Sequence, residues 1–152
     1  METTTPFSAT LLRIFMAHFF IMVCASPSAG LAAAAPSAPV TEAIMCESIN
    51  AVTKEPRKTA SVFSDASSEI FCSVAILEAP SDTTITARWI YIDGEDKELY
   101  NHVFLDFPLS AEGTRHVAYS IVRPEEGWIK GRYLVRLLIG DRVVAECAFS
   151  IQ

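Results

Sequence analysis

The sequence predicts an all-β fold: seven short antiparallel strands packed as a two-sheet sandwich behind a signal peptide. Three observations carry this. From about residue 42 onward, apolar residues recur at every second position in seven runs. Gly, Asp and Pro signals separate most of those runs. No stretch of the body sustains the i, i+3, i+4 spacing of an amphipathic helix over ten residues.

In chain order, a first short strand is expected over Ile44–Ile49. Asn50 to Glu69 is a long polar connection, with Val62 and Phe63 expected to tuck it against the sandwich edge. Ile70, Cys72, Val74 and Ile76 alternate, as do Ile85, Ala87, Trp89 and Tyr91, which precede the turn signal Asp93-Gly94. Val103, Leu105 and Phe107 form a run expected to stop at Pro108, and Val117, Tyr119 and Ile121 one that stops before Pro124. Tyr133, Val135, Leu137 and Ile139 lie on one face of a strand, and Val143, Ala145, Cys147, Phe149 and Ile151 on one face of the next. Gly140-Asp141 between them reads as a tight hairpin, glycine supplying the positive φ of such a turn.

The start of the chain has a different character. A polar lead with Arg13 precedes the apolar run Ile14–Val23, and a small-residue stretch ending in Ala32-Ala33-Ala34 follows. That order is the pattern of a secretory signal peptide, and ten residues fall short of the roughly 20 needed to span a bilayer. The expected organisation is a signal peptide over 1–34, an Ala/Pro/Ser linker over 35–41 and a β-sandwich over 42–152. The destination is periplasmic or extracellular. Cys24 leaves with the leader if the alanine site is used, and membrane attachment is expected only where the N-terminus is retained or lipidated at Cys24. Val23, which is not small, disfavours that lipidation.

Composition removes several function classes. A net charge of −6 and a pI near 5.0 argue against nucleic-acid binding, which relies on clustered Lys and Arg. A 51% hydrophobic, 20% charged chain is not a disordered composition. The carboxylates of Asp93-Gly94-Glu95-Asp96-Lys97-Glu98 miss the spacing of a calcium loop and read as a solvated turn. His102 and His116 have neither each other nor a cysteine at metal-ligand spacing, and Cys-x-x-Cys is absent. Neither a G-x-S-x-G turn nor a Gly-rich phosphate loop occurs. The expectation is a monomeric, non-enzymatic module with no metal and no cofactor.

The order of short motifs points further. Cys46-Glu47-Ser48-Ile49, a long loop containing Glu55-Pro56, Ile70-Phe71-Cys72-Ser73-Val74, the run Thr84–Tyr91, the run Gly127–Leu137 and a closing Phe149-Ser150-Ile151 resemble small immunoglobulin-like domains of unknown function from bacterial exported proteins. The step Gly131-Arg132-Tyr133 is similar to the approach to the sixth strand of such folds. The resemblance covers about residues 42–152 and implies architecture, not activity. Antibody domains carry a cysteine two residues after that tyrosine, where this chain has Val135. The resemblance, together with the expected adjacency of the first two strands, implies a Cys46–Cys72 disulfide. Cys46–Cys147 is the alternative, and three buried thiols are the plainer reading. A bridge over the 46–72 loop is worth roughly 3.5 kcal/mol.

Two surfaces are candidate binding sites. With Trp89 and Tyr133 facing inward, Arg88, Ile90, Arg132, Leu134, Arg136 and Leu138 face outward from two strands that neighbour each other in such folds. A mixed cationic and apolar strip on an acidic protein suits a protein partner, unless acids such as Glu146 pair with the arginines. Trp128, near the loops, either stacks on a sugar or small ligand or plugs the end of the sandwich; Tyr100 is its expected companion. The leading expectation is an accessory module contacting a protein through the arginine face. The alternative is a glycan- or small-ligand-binding module using loop aromatics.

Overall fold

The computed structural model describes residues 38–152; the signal peptide expected over 1–34, with its expected cleavage site and Cys24, lies outside the described residues. The strands are β1 (Val40–Ile49), β2 (Pro56–Thr59), β3 (Val62–Phe63), β4 (Glu69–Gly94), β5 (His102–Val122), β6 (Gly131–Ile139) and β7 (Arg142–Ile151), with a 3₁₀ turn at Lys97–Leu99. The fold is all-β, as the alternation requires. β1 begins at Val40, two residues before the expected start of the domain.

The expected two-sheet antiparallel sandwich needs correction. The seven strands form one mixed, curled sheet in the order β2-β1-β4-β6-β7-β3, with β5 also paired to β4. The reason is the length of β4 and β5. Residues read as four separate strands are two long ones, 26 and 21 residues, that stay paired from end to end. The first part of β4 pairs with β1 and with the last part of β5; the second part pairs with the first part of β5 and with β6. Between these parts the chain bends instead of stopping. Register shifts on either side of Ala79, opposite Gly113, let the ladder continue around the corner, and Glu78 and Gly113 adopt positive φ there. Bulges of this kind bend and twist a strand without ending it.

Pro108 does not stop its strand. It sits opposite Thr86 on β5, which pairs only with β4, so the missing N–H falls on the unpaired edge where proline is tolerated. The parallel pairing of β3 with β7 is what makes the sheet mixed. This pairing absorbs the long connection after β1. Phe63 is buried as expected, while Val62 is half exposed. The Gly140 hairpin joins β6 to β7 with φ +58 at the glycine, as the turn chemistry requires.

Curling brings the inner residues of both parts onto one core. Ile70, Cys72 and Val74 from one side meet Ile85, Trp89, Val135, Leu137, Phe149 and Ile151 from the other. Tyr119 ties the parts together: its buried hydroxyl donates to the Ile85 carbonyl at 2.7 Å. Four aromatic rings run through this core. Trp89 and Phe63 each meet Phe149 edge-on at 6.0 and 5.7 Å, and Phe149 stacks on Tyr133 at 5.0 Å.

The expected Cys46–Cys72 bridge is absent; Cys46, Cys72 and Cys147 are free, buried thiols. Across the β1–β4 pair, Met45 stands opposite Cys72 and Cys46 opposite Phe71. Successive side chains of a strand point to opposite faces, so Cys46 points away from the side that holds Cys72. The chain from Asn50 to Thr59 covers that outer side, where the Ser73 hydroxyl donates to the Lys54 carbonyl at 2.8 Å. Burial pushes the Cys46 thiol pKa up.

Candidate functional site: an arginine ladder and an aromatic cleft

The outer face of β4 and β6 holds the predicted arginine strip, and the register shows how it is built. Asp106 of β5, Arg88 of β4, Arg136 of β6 and Glu146 of β7 lie in one row across four strands. Arg88 grips Asp106 with two bonds, Nε–Oδ1 at 2.9 Å and Nη2–Oδ2 at 2.8 Å. Arg136 Nε donates to Glu146 at 2.7 Å. Arg132 forks onto Asp93, the residue opposite it on β4. Each arginine therefore spends its charge on a carboxylate of the same face. The Arg88 and Arg132 guanidiniums hold the Asp106 and Asp93 carboxyls below the usual aspartate range, chiefly through these hydrogen bonds.

The aliphatic half of the strip is less exposed than its alternation suggests. Ile90 faces outward but is buried, and Leu134 is half-buried. They stand opposite each other in the row between the arginine rows, where long arginine stems cover neighbouring aliphatics. The strip is thus a neutralised ion-pair ladder over a covered apolar row. Exposed pairs of this kind contribute little stability individually.

Trp128 sits elsewhere. It belongs to the connection between β5 and β6, is half-buried against the core, and its indole Nε1 donates to the Ser67 carbonyl at 2.6 Å. It lines a cleft of about 370 Å³ with Leu99, Phe104, Pro124, Ile129 and Tyr133; His102 and Glu126 complete the lining. The cleft is overwhelmingly apolar. Phe104, still 41% exposed, packs edge-on to Tyr133 at 6.0 Å and so extends the aromatic series of the core to the surface. The Tyr133 hydroxyl donates to the Ile129 carbonyl, and burial pushes its pKa up to about 12, keeping it a donor. Tyr100 does not join Trp128: its hydroxyl donates to the Gly94 carbonyl at 3.1 Å and its ring lies near Tyr91.

Leu99, Phe104 and Ile129 escape a sequence reading because they come from three separate connections and strand ends. Period-two alternation marks Phe104 only as an outward residue. A shallower depression of about 660 Å³ lies between residues 52–55 and β5, with Arg115 and His116 among its lining. Among the described residues no group of three or more His, Cys, Asp or Glu is placed to hold a metal ion. Asp93 is held by Arg132, and the Asp96 side chain caps the 3₁₀ turn by accepting from Glu98 N at 2.9 Å.

No protein-family model matches the chain, and no curated protein matches it. Similarity to solved structures exists but is distant. An immunoglobulin-like protein from Pseudomonas aeruginosa is 15% identical over 78% of this chain and all of its own, with a TM-score of 0.48. The alkylpurine DNA glycosylase AlkC of Pseudomonas fluorescens, solved bound to DNA containing an abasic site analog, is 15% identical over 60% of this chain, with a TM-score of 0.42. A β-glucosidase from Kluyveromyces marxianus is 11% identical over 74%, with a TM-score of 0.36. The matched region spans about a quarter of the glycosylase, 27%, and 14% of the glucosidase.

Proposed function

We propose that the protein is an exported, non-enzymatic binding module, and that its ligand site is the aromatic cleft formed by Phe104, Trp128 and Tyr133. The observation that carries this reading is where the polar handles of those rings go. The Trp128 N–H and the Tyr133 O–H are both spent on the protein's own carbonyls. What the cleft offers a ligand is ring faces and aliphatic carbon. A sugar, whose hydroxyls need partners, is poorly served there; a small apolar or aromatic group is well served. The volume lies at the lower end of the usual range for ligand sites, which fits a compact ligand. The arginine face takes second place as a partner surface, because its charges are already paired and a partner has to displace those pairs to use them.

The test is a fluorescence titration. A Trp89→Phe background leaves Trp128 as the reporter in the described domain. Small apolar aromatics such as toluene and ethylbenzene, which are transparent where tryptophan is excited, are expected to shift or quench its emission, whereas a glycan panel does not. Phe104→Asp, at a half-exposed position, is expected to weaken the response about tenfold, or 1.4 kcal/mol, without unfolding the domain. A flat response to every apolar probe defeats the cleft reading; a response to glycans alone restores the sugar-binding alternative.

The finer architecture belongs to this proposal. The Tyr133 hydroxyl reaches back to a carbonyl four residues upstream, at the start of a strand paired with that of Trp89; this likeness to a tyrosine corner supports the immunoglobulin-like reading. Export rests on the run Ile14–Val23 and the alanines at 32–34. Expression of the full-length gene in a bacterial host is expected to give a periplasmic product whose intact mass matches cleavage near Ala34. A product of full-length mass in the cytoplasm overturns the export reading and leaves the cleft to be judged alone.

A further inference from the structure

Curling of the sheet sets two thiols together that the sequence places 75 positions apart. Cys72 lies on the inner face of β4, beside Met45 across the β1–β4 pair. Cys147 lies on the inner face of β7, its Sγ 3.0 Å from the Ala43 carbonyl of β1. β1 and β7 pack against each other without pairing. A cleft of about 480 Å³ opens at this seam, with Ala43, Met45, Ser61 and Cys147 in its lining. Cys72 is fully buried, whereas Cys147 is 9% exposed and meets the cleft. The nearby Cys72 thiol pulls the Cys147 pKa down, while Cys147 and burial push that of Cys72 well up. Cys147 is thus the thiol at the edge of the cleft, and Cys72 is enclosed behind it.

We infer that Cys147 and Cys72 form a thiol–disulfide exchange site, with Cys147 as the attacking thiol and Cys72 as the resolving one, closing to a disulfide that joins β4 to β7 across the core. The oxidant is a small disulfide such as oxidised glutathione. The Cys147 thiolate attacks one sulfur of the small disulfide, forming a mixed disulfide and releasing one thiolate, which takes up a proton. Cys72 then gives up its proton and attacks the Cys147 sulfur, expelling the second small thiol. Two protein S–H groups are oxidised to one S–S bond, and the small disulfide is reduced to two thiols. Cys46 takes no part, because it lies on the other face of β1. The inference does not depend on the ligand cleft or on where the protein resides.

The folded chain, fully reduced and then exposed to oxidised glutathione near pH 8, supplies the test. After alkylation without denaturation and then in denaturant, the peptide map is expected to show Cys72 joined to Cys147, with Cys46 alkylated. The Cys72→Ala variant is expected to stop at a stable glutathione adduct on Cys147, and Cys147→Ala to give neither adduct nor bridge at Cys72. Both variants are first shown to be folded by their near-ultraviolet dichroism; if either is unfolded, valine replaces alanine at that site. A bridge that includes Cys46, an adduct on Cys72 in Cys147→Ala, or no reaction at Cys147 in the folded wild-type chain overturns the inference.

Discussion

Trp89→Ala is expected to cost about 3–5 kcal/mol of folding stability, the usual toll for deleting a fully buried large aromatic. For a domain of about this size, that lowers the thermal midpoint by roughly 15–25 °C. The ring is completely buried and packs edge-on against Phe149, the aromatic that also meets Phe63 and Tyr133. Its removal takes one support from Phe149, the ring on which Phe63 of β3 and Tyr133 of β6 also pack. Trp89→Phe is expected to behave quite differently. The indole Nε1 of Trp89 is buried with no hydrogen-bond partner among the described residues. An orphaned buried donor carries a penalty of about 1–3 kcal/mol, and phenylalanine abolishes that penalty while keeping a ring against Phe149. The net loss expected for Trp89→Phe is therefore about 1 kcal/mol or less. Chemical denaturation of both variants checks the pair. Equal losses would mean that the phenyl ring recovers none of the packing, a loss for Trp89→Phe well above about 1 kcal/mol would mean that the orphaned N–H carries little cost, and a small loss for Trp89→Ala would remove the ring from the centre of the core.

Gly94→Ala is expected to be comparably damaging, at roughly 3–5 kcal/mol, for a backbone reason. Gly94 and Gly131 face each other where β4 and β6 meet. Gly94 holds φ +150, and a Cβ there runs into the Gly131 Cα and the Lys130 carbonyl, with the Tyr91 hydroxyl at 2.7 Å. Two of those obstacles are backbone and cannot swing aside. The close approach has a use: it lets the Tyr91 hydroxyl donate to the Lys130 carbonyl at 3.2 Å and accept from Asp96 N at 3.1 Å. Those bonds fasten the turn after β4 to the connection that carries Trp128, so the variant is also expected to loosen the aromatic cleft. Gly113→Ala is the control. Gly113 has φ +66 but open space around its Cβ position, so only the left-handed conformation is penalised, about 1–2 kcal/mol. Thermal melts that rank Gly113→Ala as the worse of the two would contradict the close-approach account.

Much of this molecule is legible in the residues themselves. Ile70, Cys72, Val74, Ile85, Trp89, Tyr133, Val135 and Phe149 are core residues that alternation alone identifies, because a pleated strand with one buried face must repeat every second residue. The Gly140 hairpin is equally local, since its turn needs the positive φ that glycine supplies. Trp128 is legible as a large residue near the loops, and it lines the cleft, but its companions there are not legible. Tyr100, the other loop aromatic that the sequence offers, is fastened to Gly94 instead.

The arginine strip marks the boundary between the two kinds of information. Alternation correctly places Arg88 and Arg136 on one outward face. Whether that face is charged or neutral depends on which acids the neighbouring strands bring alongside, and Asp106 and Glu146 arrive from β5 and β7. The cysteines repeat the lesson. The expected adjacency of the first two strands favours Cys46 with Cys72, yet an odd offset across the β1–β4 pair sends them to opposite faces, and curling instead brings Cys147 against β1, where it lines a cleft with Met45, the residue opposite Cys72.

By itself, then, the sequence determined the all-β class, the inward set of β4 and β6 and the tight hairpin, because each follows from bonds and sterics within a few residues; Val103 and Phe107 of β5 and Val143 of β7 alternate in the same way and yet are half exposed. The tertiary structure alone decided that β4 and β5 continue through a corner, that the sheet is mixed, which arginines are paired, which thiols meet and where the cleft lies. Period two tells a strand which side to bury. It is silent on which strand lies beside it and where the chain bends, since those are settled by pairing between segments distant in the chain.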